Sequence, residues 1–319
     1  MNLDIKVAVV CGGVSSEREV SLKSGWAVYN ALCRAGYRNV ELFDFKKDNL
    51  AELIMKMPDI AYLALHGAGG EDGHIQGALE LAGIPYTGPG LETSAVCMNK
   101  VLTKQVMAFH NIPTAAFLAF HKSQDVAREE MARNILNTLG LPVVLKSPCQ
   151  GSSIGVVMVR EAEKLEGAIE EIFSFGDMLL AEEYLSGIEV TLPILGNDEL
   201  TVLPEIEITT DNEFYDFGAK YTQGKCRHII PSTLSTEEKE QVTRIGVKLY
   251  KLLGCCGLSR IDFIVDKEKG PKVIEVNTLP GMTEMSLFPD SARYAGISFE
   301  QLVLKIVELG LERKSTVFP

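Results

Sequence analysis

The sequence predicts an α/β N-terminal segment followed by two α+β segments. Three observations carry this. Apolar β-branched runs alternate with helical runs through the first hundred residues. A β-α-β-β-α-β order follows. The last third holds a strand pair joined by a Lys/Gly turn and framed by amphipathic helices. In the first segment Ile5–Cys11 reads as a strand ending at Gly12-Gly13. Val20, Ala27, Val28, Ala31, Leu32 and Ala35 then recur at helical spacing up to Gly36, and Ser16 with Glu19 has the spacing of a capping box. Val40–Phe45, Ile60–Leu65 and Pro85–Thr87 read as further strands and Gly77–Ala82 as a short helix, which together make a small open parallel sheet of the Rossmann-like kind.

The second segment begins near Asn99. Val101–His110 reads as helix, Phe117–Phe120 as strand and Asp125–Leu139 as helix. Val143–Lys146 and Val156–Val159 are strands flanking a glycine-serine loop, and Ala162–Phe173 and Met178–Tyr184 complete a split βαβ order. In the third, Ile188–Leu195, Thr201–Ile208, Ile261–Val265 and Val273–Val276 read as strands, and Thr236–Leu253 and Ser298–Leu311 as helices. Residues 211–231 are polar and irregular, long enough to suspect a functional loop. The expected division is residues 1–98, 99–186 and 187–319.

Composition narrows the partners. The 319 residues carry a net charge of -12, which opposes a nucleic-acid surface or docking on anionic lipid. No apolar run approaches the roughly 20 residues of a membrane span, and the start lacks a secretory pattern. The seven cysteines form no C-x-x-C pair. Cys226 and His228 have no second pair to complete a zinc site. A cytoplasmic protein with buried, reduced thiols is expected.

Five clusters carry chemistry. In Arg260-Ile261-Asp262 and Glu275-Val276-Asn277, strand alternation puts Arg260 with Asp262, and Glu275 with Asn277, opposite Ile261, Phe263, Ile274 and Val276. Two carboxylates, an amide oxygen and a guanidinium on neighbouring strands suit magnesium and a phosphoryl group in transfer. Polar alternation on an exposed sheet face would give the same pattern. Lys146 leads into Ser147-Pro148-Cys149-Gln150-Gly151-Ser152-Ser153-Ile154-Gly155, a phosphate-handling layout that is longer than a hairpin needs. It is not a Walker A loop. Val14–Ser21 follows the first strand and leaves Glu17 able to meet a cation. His66-Gly67-Ala68-Gly69-Gly70-Glu71-Asp72-Gly73-His74 lies past the third strand, where ligands of open sheets bind. Lys220 and Tyr221 lie in the long loop, where ordinary solvated charge is the plain alternative.

These clusters, in this order, resemble the D-alanine–D-alanine ligase family of the ATP-grasp superfamily. The most specific strings are Ser16-Glu17-Arg18-Glu19-Val20-Ser21, His66-Gly67-x-x-Gly70-Glu71-Asp72-Gly73, Gly151-Ser152-Ser153-x-Gly155, Arg260-Ile261-Asp262 and Glu275-x-Asn277-Thr278-x-Pro280-Gly281-Met282-Thr283. The resemblance implies an ATP-grasp fold behind the N-terminal domain, and ligation of two D-alanines through a D-alanyl phosphate for peptidoglycan synthesis. It implies ATP, held by Lys100, Lys146, Ser152, Ser153 and Lys220 at its phosphates. Glu182, Glu183 and the backbone near Leu185 would meet adenine, and Glu189 the ribose. Asp262, Glu275 and Asn277 would hold magnesium, as two ions and replaceable by manganese. Glu17 and His66 would serve the first D-alanine, and Ser286 and the Leu287 amide the second. Arg260 and the Gly281 amide would stabilise the oxyanion, with Glu17, Ser152 and Tyr221 near the second amine. Glu183 departs from the lysine of some relatives and would act as an acceptor. A homodimer is implied. Sibling ligases forming D-alanyl-D-lactate or D-alanyl-D-serine, other ATP-grasp ligases and a non-catalytic nucleotide-binding protein are the rival readings.

Overall fold

The computed structural model describes residues 2–124, 126–151, 154–210 and 226–313. Strands β1 (Lys6–Gly12), β2 (Asn39–Phe45) and β3 (Ile60–Leu63) form a parallel sheet in the order β2-β1-β3, and a parallel bridge from Ala61 to Tyr86 extends it. Helix α1 (Arg18–Arg34) lies against β1 so closely that a Cβ on Gly25 would meet Cys11. The expected capping box is not formed. The residue preceding α1 is Glu17, no side chain caps the helix, and the Ser15 hydroxyl accepts from the Glu17 amide instead. Helices α2 (Leu50–Met55), α3 (His74–Leu81) and α4 (Leu91–Met98) complete this part. Neither α2 nor α4 was expected: one is under two turns, and the other mixes small and polar residues without an apolar stripe.

Helix α5 (Lys100–Phe109), capped by the Asn99 side chain, leads into β4 (Phe117–His121), α6 (Arg128–Leu139), β5 (Val143–Lys146), β6 (Val156–Val159), α7 (Leu165–Phe173) and β7 (Met178–Glu183). The antiparallel sheet runs β4-β7-β5-β6. Each helix crossover therefore skips one strand, which is the split arrangement that the element order suggests.

The third sheet has β8 (Ile188–Gly196), β10 (Ile206–Thr210), β11 (Cys226–Ile229), β12 (Leu258–Asp266) and β13 (Gly270–Asn277) in the order β11-β10-β8-β12-β13, with β9 (Leu200–Val202) on β8. The single strand expected over 201–208 is two strands, because Pro204 between them has no amide to continue a ladder. The stretch expected to be irregular to residue 231 contains β11, which pairs with β10. Helices α8 (Thr236–Leu252), α9 (Leu287–Tyr294) and α10 (Phe299–Glu312) close the chain. Capping boxes at Ser235/Glu238 and Ser298/Gln301 start α8 and α10.

One apolar core joins the N-terminal sheet to the chain's end, with Val9 and Leu32 beside Leu302 and Ile306. A second packs α8 on the third sheet through Val242, Tyr250, Val190 and Phe263. A third packs α6 and α7 on the middle sheet through Ile135, Ile169, Leu145 and Ala181. Among the described residues no helix is long and apolar enough to cross a membrane. The thiols are not all buried as expected: Cys11, Cys97 and Cys255 are, whereas Cys33 and Cys149 are exposed.

Candidate active site

The β12–β13 register decides the polar face. Arg260 stands opposite Asn277 and Asp262 opposite Glu275. Directly opposed residues project to the same side of a sheet, so all four share one face. Ile261 and Val276 turn into the core. A bulge after Asp262 makes Ile274 the extra residue, so Val273, and not Ile274 as alternation suggests, takes the core position.

Asp262 is only 6% exposed and organises this face. The Arg260 guanidinium donates to both its oxygens, Nε to Oδ1 and Nη2 to Oδ2, each at 2.9 Å. Asn277 Nδ2 donates to Oδ2 at 2.9 Å, and the Thr191 hydroxyl of β8 to Oδ1 at 2.5 Å. Glu275 pairs with Lys100 at 3.1 Å. Lys100 also donates to the Gln150 carbonyl at 3.0 Å, so Gln150 sits at the start of α5. Burial lowers the Lys100 pKa, but Glu275, with Glu182 behind it, outweighs this and raises it. The Ser147 amide donates to the Gly155 carbonyl at 2.8 Å, one step beyond the β5–β6 ladder.

Glu182 is buried between two cations. Lys104 approaches Oε1 at 2.5 Å and Lys146 approaches Oε2 at 2.6 Å. Burial alone would raise the Glu182 pKa, but Lys146 and Lys104 hold it at about 2. The neighbouring Glu183 is not brought to this cluster. Adjacent strand residues face opposite ways, and its carboxylate accepts from the Ala116 amide at 3.1 Å and from Lys269 at 2.9 Å. Glu183 therefore ties β7 to the β12–β13 turn. Leu185 is buried in the linker to β8, and Glu189 lies on β8 opposite Ile264.

The N-terminal loops meet the segment after β13. His66 Nε2 lies 3.2 Å from the Ser24 hydroxyl and Nδ1 lies 3.1 Å from the Leu279 carbonyl. Ser24 accepts from the Met282 amide at 3.3 Å. Glu17 is buried with Gly67 and Gly151 against its carboxylate, and a Cβ on either would come within 3.0 Å of Oε2. Gly281 abuts Ser286, where a Cβ would stand 2.9 Å from the hydroxyl. Ser286 accepts from the Thr283 amide at 3.1 Å and precedes α9, whose first residue is Leu287. The early amides of α9 lack partners within the helix and suit a carboxylate. Ser152, Ser153, Lys220 and Tyr221 lie outside the described residues.

Three participants escape the sequence reading. Lys104 lies one helical turn after Lys100, a spacing that could have flagged it. Ser24 sits about two turns into α1 after Glu17, with nothing local to mark it. Thr191 reads as an ordinary strand residue; only the register that sets it opposite Asp262 reveals it.

Comparison with known proteins fits this geometry. Residues 42–89 match the family description "D-ala D-ala ligase N-terminus" and residues 106–308 match "D-ala D-ala ligase C-terminus". The chain belongs to the D-alanine–D-alanine ligase family. It is 47% identical to the D-alanine–D-alanine ligase of Carboxydothermus hydrogenoformans over 310 residues, covering 97% of this chain and 99% of that protein. The Moorella thermoacetica ligase is also 47% identical, over 309 residues, covering 97% of this chain and 100% of that protein. A D-alanine–D-alanine ligase from Bacillus anthracis, solved in complex with ATP, superposes with a TM-score of 0.83 at 36% identity, covering 98% of each chain. The family and the ATP-grasp fold that the five strings imply are both borne out.

Proposed function

We propose that this protein joins two D-alanines into D-alanyl-D-alanine, converting ATP to ADP through a D-alanyl phosphate, and so supplies the dipeptide for peptidoglycan precursors. Membership of the family supports the reaction. The observation that carries the reading at the residue level is the single face bearing Arg260, Asp262, Glu275 and Asn277, with Lys100 against it.

A carboxylate is a poor electrophile, and phosphorylation supplies it with a leaving group. Transfer of the phosphoryl group then depends on alignment and charge neutralisation more than on covalent help from the protein. Lys100, Lys146, Ser152, Ser153 and Lys220 are the proposed phosphate contacts. Glu182 and the backbone at Leu185 are the proposed base contacts, and Glu189 the ribose contact. Magnesium fits the donor set: Asp262, Glu275 and Asn277 offer three oxygens, and among the described residues no third His, Cys, Asp or Glu joins them. That leaves positions for phosphate oxygens, as magnesium prefers. Two ions are proposed, with manganese an acceptable substitute. When bound, the metal neutralises charge on the phosphates.

Glu17, with His66 behind it, is the proposed anchor for the first ammonium. Ser286 and the Leu287 amide are the proposed carboxylate site for the second D-alanine. Its amine attacks the acyl phosphate while Arg260 and the Gly281 amide take up the charge growing on the carbonyl oxygen. Ser152 and Tyr221 complete the set near that amine. The proposed domains are residues 1–98, 99–186 and 187–319, each carrying one sheet. A cytoplasmic homodimer completes the proposal and rests on family likeness alone.

The direct test measures ADP release with ATP, magnesium and D-alanine, with L-alanine as control. Release that requires the D-isomer supports the reading; equal release with either isomer, or none with D-alanine, overturns it.

A further inference from the structure

Two lysines share Glu182, but they are not equivalent. Lys104 is 1% exposed. Its ammonium reaches Glu182 Oε1, the Thr114 hydroxyl at 2.6 Å and the Ala115 carbonyl at 3.4 Å. A lysine has three N–H donors, so this ammonium is fully engaged. It also faces the Phe117 ring from 5.3 Å. Lys146 is the more open of the two, with its side chain 15% exposed.

A phosphate group offers Lys146 a stronger partner than a carboxylate that is already neutralised. Lys146 can leave Glu182 for it; Lys104 cannot, because its other two partners hold it in the interior. A buried carboxylate stripped of all counter-ions is costly, so the fixed lysine must serve Glu182 alone once the open one moves. The same lysine ties Glu182 to the metal-binding hairpin. Thr114, which accepts from Lys104, donates to the Val273 carbonyl at 2.8 Å, and the Val273 amide donates to the Pro113 carbonyl at 2.9 Å. Val273 lies two residues before Glu275 on β13.

We infer that Lys104 is a positioning residue for nucleotide selection: it holds Glu182 in place as a pure hydrogen-bond acceptor while Lys146 serves the phosphates, and through Thr114 it fixes that acceptor relative to the metal-binding strand. The inference rests on the reading of Glu182 as the base contact. An acceptor at that point pairs with the 6-amino group of adenine and rejects the 6-oxo group of hypoxanthine. A site built around one hydrogen-bond polarity discriminates strongly against the opposite one.

The test compares ATP with inosine triphosphate in ADP- or IDP-release assays on the full-length enzyme. Lys104→Met should raise the KM for ATP by about tenfold or more, the scale expected when one partner of a buried charge pair is lost. The kcat at saturating ATP and the KM for D-alanine should stay within about threefold, because the lost interaction is equal in the ground and transition states. The ATP-over-inosine-triphosphate preference in kcat/KM should fall by about tenfold. Thr114→Val, which keeps both charges, should move the same two quantities the same way by a smaller factor, and it decides the matter if Lys104→Met does not fold. Wild-type KM for ATP and wild-type base preference in the folded variants would overturn the inference, as would equal losses for both nucleotides and for D-alanine. Glu182→Gln separates the two levels. If it keeps the wild-type base preference, the base-contact reading fails and this inference with it. If it lowers the preference while Lys104→Met does not, only the role of Lys104 fails.

Discussion

Asp262 and Glu275 stand directly opposite each other across the β12–β13 ladder, yet each is neutralised by a different cation. Arg260 forks onto Asp262, and Lys100 pairs with Glu275. The two cations offset the repulsion between the two carboxylates that lie side by side.

Glu275→Gln removes one of the proposed anionic oxygen ligands and the carboxylate paired with Lys100. Magnesium-dependent turnover should be abolished while circular dichroism stays that of the folded protein. Full activity at ordinary magnesium concentration would take Glu275 out of the metal site.

Arg260→Ala removes the donor proposed to serve both the phosphoryl and the tetrahedral states. Loss of one preorganised oxyanion donor lowers kcat by about 10²–10³, so the variant should lose at least that much. A variant altered only in its Michaelis constants would reduce Arg260 to a binding residue.

Glu182 gives the fold a defined acid sensitivity. Its folded pKa, about 2, lies below the ordinary value of 4.5, so its contribution to stability is complete above pH 4.5 and is lost as pH falls from there toward 2. Glu182→Gln should flatten the pH dependence of the urea midpoint in that window. An unchanged slope would show that the two lysines do not depress this carboxyl.

Phe263 lies fully buried beneath the polar face, in the core that packs α8 on the sheet. Phe263→Ala should destabilise the protein by about 3–5 kcal/mol, read as a lower urea midpoint. A change under about 1 kcal/mol would mean that the hairpin is not held by this core.

The polar face was legible in the sequence because strand alternation has only two outcomes, and Arg260, Asp262, Glu275 and Asn277 fall on one of them. The bulge after Asp262 was not, since a single extra residue leaves no compositional mark; hence the misassigned side of Ile274. Ser16 and Glu19 satisfied the spacing of a capping box, but the Ser15 hydroxyl bonds the Glu17 amide instead. That hydroxyl also donates to the His66 carbonyl at 2.6 Å, and such a tertiary contact outweighs a local preference. The lysine pair on Glu182 depends on Lys104 of α5 and Lys146 of β5 reaching one carboxylate of β7, and the separation of Glu183 from it depends on Lys269 of the β12–β13 turn coming to the other side of that strand. Neither is written in local spacing.

The most direct test of the central claim offers equal D-alanine and D-lactate with ATP and magnesium from pH 6 to 9 and resolves the products by mass. The attacking amine must lose a proton, and an α-amino group titrates near about 8. Tyr221, on the proposal that it stands near that amine, brings no positive charge there, whereas a cationic side chain would repel the ammonium by on the order of 4 kcal/mol at about 4 Å. D-alanyl-D-alanine should therefore dominate at pH 7 and increase toward pH 9, and Tyr221→Lys should shift the ratio toward the ester, most at low pH. Predominant D-alanyl-D-lactate from the wild-type protein across that range would contradict the account.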